Sequence, residues 1–206
     1  DLDKADITTA SEILERNGTK APLESQNWAK DFPYKPIAYF HMARSKEAVF
    51  IKFFVFCNAL RAIYSHDQEP VYEDSCVEFF CKPVESAKYT NFEFNCIGTC
   101  SASRRKGRNE EVEPFSAAEM KSIERFPSIV PQPFEEIKGN FEWELTVKIP
   151  FKLMGIDPND LPEKMLGNFY KCADGTESPH YLSWNPIQTE KPDFHRPEFF
   201  GELFLR

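Results

Sequence analysis

From Ala48 to Asn58 the sequence puts Val49, Ile51, Phe53, Val55 and Cys57 on one side of any extended backbone and Phe50, Lys52, Phe54 and Phe56 on the other, because strand side chains alternate with a period of two. Apart from one lysine both sides are apolar. A segment this short and β-rich has to be a central strand with material packed over both its faces. Further strands are predicted over Ile37–Ala43, Ser75–Lys82, Tyr89–Thr99, Phe141–Ile149, Gly167–Ala173, Tyr181–Trp184 and Gly201–Leu205, separated by stretches rich in Pro, Asn, Asp and Gly. That number of strands requires two packed antiparallel sheets, an all-β sandwich.

Two helices interrupt the pattern. Thr9 as cap, Glu12 three residues later and Gly18 as stop predict a short N-terminal helix, and Ser116 with Glu119 predicts an inserted helix from Ser116 to Arg125. Sixteen prolines against eight glycines fit fixed connections rather than flexible linkers. The chain therefore reads as a single domain over residues 1–206, with residues 1–27 a peripheral N-terminal segment.

Charge and motif content exclude several functions. With 33 acidic and 25 basic side chains the net charge is -8, which repels nucleic acid. The basic cluster Arg104, Arg105, Lys106 and Arg108 runs into Glu110, Glu111 and Glu113, so it is expected to be a solvated hairpin or loop rather than an anion site. No apolar run approaches the roughly 18 residues of a membrane span. Asp1 follows no basic-then-apolar leader, as when a signal peptide has been removed or never existed. The six cysteines show neither CxxC pairs nor zinc-ligand spacing and lie in strand-like runs, so they are expected to be buried thiols, their pairing left open. His41, His180 and His195 lack ligand spacing and read as structural. There is no GxSxG elbow, phosphate loop or HExxH helix.

Where polar chemistry concentrates, the period of two sorts it. In Ser75–Cys81, Val77, Phe79 and Cys81 share one face and Cys76, Glu78 and Phe80 the other; in Asn91–Cys96, Phe92, Phe94 and Cys96 oppose Asn91, Glu93 and Asn95. If these strands pair, Glu78, Asn91, Glu93 and Asn95 form a polar sheet face whose carboxylate and amide groups suit sugar hydroxyls. Tyr72, just before Glu73 and Asp74, can supply an apolar platform at its rim. The same alternation also describes an ordinary half-solvated sheet.

The segments Tyr72–Phe80, Tyr89–Asn95, Trp143–Phe151 and Pro197–Leu205, in this order and spacing, resemble the family 9 carbohydrate-binding modules over roughly residues 28–206, with Trp28 near the family's opening tryptophan. Gly167–Asp174 and His180–Pro186 look like a subgroup that occurs as stand-alone secreted domains. The resemblance implies a jelly-roll-like β-sandwich, non-catalytic carbohydrate binding in support of polysaccharide degradation, structural calcium, and a secreted, periplasmic or cell-surface location. Its implied partners are an oligo- or polysaccharide and polysaccharide-degrading enzymes, the module itself being a monomer. Carried over by position, Tyr72 takes the place of one stacking tryptophan, Glu78 of a hydrogen-bonding glutamate and Asn95 of an asparagine. The second stacking ring falls on Phe194, with Trp184 the alternative. Ser75 stands where the family commonly has Asp, and Glu93 where it has a sugar-contacting arginine, which leaves the sugar's identity open.

Three other readings compete with sugar binding. A glycoside hydrolase would use Glu78 with Glu93 or Asp174. A haem-binding sandwich would use Met42 or a histidine on iron. A structural or protein-docking domain would retain only a vestigial sugar cleft.

Overall fold

The computed structural model describes residues 1–205. Helix α1 (Ile7–Asn17) precedes strands β1 (Thr19–Pro22), β2 (Ile37–Arg44) and β3 (Ala48–Ala62); then come β4 (Cys76–Lys82), β5 (Tyr89–Asn95), β6 (Cys100–Arg105) and β7 (Glu113–Pro114). Helix α2 (Ala117–Lys121), β8 (Glu124–Pro127), β9 (Phe134–Pro150), β10 (Lys164–Cys172), β11 (Tyr181–Ser183) and β12 (Gly201–Phe204) complete the chain. Every strand pairing is antiparallel. The first sheet has the order β1-β2-β3-β9-β8 and the second β11-β10-β4-β5-β6-β7, with β12 also on β10. This is the expected two-sheet sandwich, and β3 is its central strand.

Phe40, Phe53, Trp143 and Leu145 of the first sheet meet Phe79, Phe92, Phe94 and Phe169 of the second in the core. The Phe169 ring stacks 3.7 Å from Phe40 and 4.7 Å from Phe79, tying the sheets together. Outside the first sheet, Ala10 and Leu14 of α1 cover Ala48 and Phe50, which is why the second face of β3 is also apolar. Lys52 on that face is buried but bonded to Glu15 at 2.8 Å and Glu144 at 2.9 Å, so its charge is paired.

Several local expectations needed correction. The cap of α1 is Asp6, whose carboxylate accepts the Thr9 N–H, rather than Thr9 itself; Gly18 is the stop as expected. The Ser116–Glu119 capping box forms, but α2 ends at Lys121 rather than Arg125, since the following residues pair with β9 from Glu124 onward. The strand expected over Tyr89–Thr99 stops at Asn95. There the Asn95 side chain accepts the Thr99 N–H at 2.9 Å and Gly98, at φ +87°, turns the chain back into β6. Strand β6 was not foreseen because Cys-Ser-Ala-Ser-Arg-Arg has no β-branched or aromatic residue. Within the segment expected to be peripheral, Thr19–Pro22 joins the first sheet as β1.

Candidate functional site

The face of the second sheet turned away from the core is not left to solvent. Strand register lines up Tyr170, Glu78, Glu93 and Ser101 as one row across β10, β4, β5 and β6, with Asn168, Phe80, Asn91 and Ser103 beside it and Cys172, Cys76 and Asn95 on its other flank. A second apolar cluster, including Trp28, Val71, Phe80, Tyr89, Tyr170, Phe194 and Phe200, roofs one part of this face. The uncovered part is a cleft of about 640 Å³, lined by Tyr72, Glu78, Glu93, Ser101, Arg105, Arg108, Cys172, Asp174, Tyr181, Asp193, Phe194 and His195 among others. Its size lies in the range of small-ligand sites.

Each wall has an identifiable anchor. Tyr72 belongs to a short 3₁₀ turn, Val71–Glu73, pinned by the fully buried Asp74. The Asp74 carboxylate accepts the N–H groups of Ile63 at 3.0 Å and Tyr64 at 3.1 Å and faces Arg61 Nε at 3.3 Å. Opposite, Phe194 stacks on Tyr170 at 4.2 Å while the Tyr170 hydroxyl donates to the Phe194 carbonyl. His195 Nδ1 is hydrogen-bonded to the Tyr89 hydroxyl at 2.8 Å, and Arg108 reaches Asp193 at 2.9 Å across the entrance.

Of the residues singled out from sequence, Tyr72, Glu78, Glu93 and Phe194 meet in the cleft. Tyr72 is 42% exposed and presents a ring, whereas Phe194, at 7%, is mostly spent on packing. Asn91 and Asn95 lie on the predicted face but behind the cleft lining. Asn91 donates to Glu93 Oε1 at 2.9 Å and accepts from Ser103, so it positions Glu93. Asn95 uses its amide on Tyr64, Asp74 and Thr99. Trp184, the alternative ring, packs on Phe169 and the core instead of lining the cleft.

The expectation of a merely solvated basic hairpin is corrected for two of its members. Arg105, bonded to Ser103, and Arg108 both line the cleft, while Arg104 pairs with Glu119 and Lys106 with Glu110. Alternation along β6 offered a signal for Arg105, had β6 been recognised. Tyr181, Asp193 and His195 come from irregular or very short segments, where no period marks a face.

Burial dominates the electrostatics. Glu78, deeply buried and opposite Glu93, is pushed well above the usual carboxylate range by desolvation and then by its neighbour's charge. Desolvation raises Glu93 to about 7 against the pull of Arg105 and the Asn91 hydrogen bond. Asp174 rises to about 6, again from burial, opposed by a hydrogen bond with Tyr181. His195 is pushed down to about 3 by burial and the nearby arginines, so it is neutral at physiological pH. The floor thus holds carboxyl groups able to donate as well as accept.

All six cysteines are free and buried. Among the described residues, one set of three carboxylate, imidazole or thiol groups converges: Cys76, Glu78 and Cys172, with ligand atoms within 4.8 Å of one another. Two sulphurs suit calcium poorly, since it takes oxygen ligands, so this trio gives the implied calcium no home. His41, His180 and His195 each have separate partners, in Leu14, Lys171 and Tyr89.

A two-sheet sandwich with a polar, ring-flanked cleft on one outer sheet face defines a small-ligand-binding β-sandwich. The chain belongs to carbohydrate-binding family 9, whose sequence model matches residues 9–205. Among solved structures, one from Bacteroides uniformis ATCC 8492, described only provisionally as carbohydrate-binding, is 37% identical with a TM-score of 0.87, covering 95% of this chain and 89% of that one. A family 9 module from Caldicellulosiruptor kristjanssonii, solved in complex with glucose, shares the fold at 12% identity and a TM-score of 0.58, covering 93% of this chain and 85% of that one. No match is found among curated proteins. No helix among the described residues is long and apolar enough to cross a membrane.

Proposed function

We propose that the cleft over the second sheet holds a carbohydrate without altering it, and that the module keeps polysaccharide-degrading machinery close to its substrate. The chief support is the pairing of Glu78 with Glu93 on the cleft floor beneath a tyrosine ring, Tyr72, left open to solvent. A pyranose needs both: a flat apolar surface for its C–H face and clustered donors and acceptors for its hydroxyls. Glu78 and Glu93 provide the acceptors, Arg105 and Arg108 the donors, and Tyr181 a second partly exposed phenol. Family membership supports the same reading, and the glucose held by the Caldicellulosiruptor module makes a hexose the first probe.

Titration calorimetry against glucose, xylose and their oligomers, beside a broad glycan array, tests the proposal. Tyr72→Ala is expected to weaken the best ligand about tenfold, the effect of losing one stacking ring worth roughly 1–1.5 kcal/mol. An array blank for the folded wild type would overturn sugar binding and favour a docking role.

One observation favours a second reading. A carboxyl group that burial raises to about 7, as it does Glu93, still carries a proton part of the time at neutral pH and is the raw material of a general acid. Hydrolysis of aryl glycosides or oligosaccharides that disappears in Glu93→Gln would support a hydrolase; no product over a wide substrate panel eliminates it.

A further inference from the structure

We propose that Cys76, Glu78 and Cys172 form a binding site for a thiophilic divalent metal ion of the zinc type, with its remaining coordination position open to the cleft. The placement is a consequence of sheet register. Cys76 and Cys172 are Cα partners on β4 and β10, and Glu78 lies two residues along β4 and therefore on the same face. Both sulphurs converge on one oxygen, Glu78 Oε1, at 3.8 Å from Cys76 and 3.2 Å from Cys172. With metal–sulphur bonds of about 2.3 Å and metal–oxygen bonds of about 2.0 Å, the sulphur–oxygen edge of a tetrahedron is about 3.5 Å. The two observed separations bracket that length, and all three ligand atoms lie within 4.8 Å of one another against a sulphur–sulphur edge of about 3.8 Å, so side-chain rotation closes the site without moving the strands.

Chemistry selects the ion. Two thiols and one carboxylate form a set that favours zinc over calcium or magnesium, which prefer oxygen. Spacing along the chain hid this site, because its ligands come from two strands far apart in sequence. All three side chains are buried, at 0%, 2% and 1% exposure for Cys76, Glu78 and Cys172, so water competes weakly for the ion. Glu78 and Cys172 also line the cleft, which leaves a coordination position facing it. Entry of the ion displaces the two S–H protons and the proton that burial keeps on the Glu78 carboxyl to solvent, so the ligands bind as two thiolates and a carboxylate and the step involves no oxidation. Arg105 and Arg108 on the cleft wall offset the negative charge that results. None of this depends on whether the cleft binds sugar.

The test uses the whole protein, reduced with a phosphine, stripped with a chelator and kept free of sugar. Zinc is titrated in competition with a chromophoric chelator, and cobalt(II) serves as a spectroscopic substitute. One equivalent of zinc is expected, with Cys172→Ser and Cys76→Ser each weakening it by at least about 100-fold, the upper end of what losing a mere outer-shell partner costs. Cys81→Ser, altering a buried thiol on the opposite face of β4, is expected to bind as the wild type does. The cobalt form should show thiolate charge-transfer and intense tetrahedral d–d bands, a readout on the wild type that stands even if a serine variant fails to fold. Absence of a one-to-one zinc complex, equal zinc affinity in the folded serine variants, or a pale octahedral cobalt spectrum would each overturn the site.

Discussion

Replacing Glu93 by Gln tests the account of the cleft floor quantitatively. Glu93 is 7% exposed, opposes Glu78 across the β4–β5 ladder and is raised to about 7 from the ordinary carboxyl value of 4.5, first by desolvation. An acid raised on folding contributes stability that is fully present below about pH 4.5 and is lost as pH rises through about 7. A difference near 2.5 pH units corresponds to a loss on the order of 3 kcal/mol between pH 4 and pH 8. Glutamine keeps an oxygen for Asn91 but carries no charge, so the variant does not suffer this loss. In a domain of this size 1 kcal/mol moves the melting temperature by about 2–4 °C. Glu93→Gln should therefore match the wild type at pH 4 and melt roughly 6–12 °C higher at pH 8. Scanning calorimetry in chelator at a series of pH values reads this directly. Taking the difference between the two proteins removes titrations that do not feel Glu93, notably His195, whose lowered value acts in the opposite sense, costing stability as pH falls below 6.5, whereas Glu78 is relieved of its neighbour's charge in the variant and adds to the difference in the same direction. Parallel melting curves from pH 4 to 8 would refute the claim that Glu93 is forced into a charge-averse site.

Other outcomes follow from the same geometry. Asn95→Ala should cost about 2–4 kcal/mol in urea unfolding, because three hydrogen bonds to Tyr64, Asp74 and Thr99 go with the amide, while sugar affinity of the folded protein stays unchanged. Arg108→Ala should weaken sugar binding several-fold by calorimetry yet shift stability by less than about 1 kcal/mol, as expected of an exposed ion pair to Asp193. Gly201→Ala should destabilise by roughly 1–3 kcal/mol in a thermal melt, since an added Cβ would lie 2.6 Å from Trp184 Cζ3, a ring braced against the core.

Strand identity was written locally. The alternation in Ala48–Asn58, Ser75–Lys82 and Asn91–Asn95 assigned core and outer faces correctly, because a period of two follows from backbone geometry alone. The family's motif order likewise marked Tyr72 and Glu78 before any contact was known. Elements with weak β propensity, β6 above all, left no such trace; Tyr181 opens a strand that the sequence did predict, but no period marked its face or the loop that delivers Asp193 and His195 to the cleft.

Which polar groups line the cleft and which merely brace its floor was decided by packing. Asn91, Glu93 and Asn95 are equivalent in the strand pattern, yet one braces a carboxyl, one lines the cleft and one pins a turn. Position favoured Phe194 as the second ring with Trp184 the alternative, and packing separates them, since the first lines the cleft and the other packs into the core. Sequence alone determined two sheets, a polar outer face and the family; register across four strands decided that Glu78 meets Glu93, that Cys76 meets Cys172 and that Arg105 joins them at the cleft. The physical reason is that side-chain period acts between neighbours along one strand, whereas a binding site is made by neighbours across strands, whose alignment depends on the whole sandwich closing.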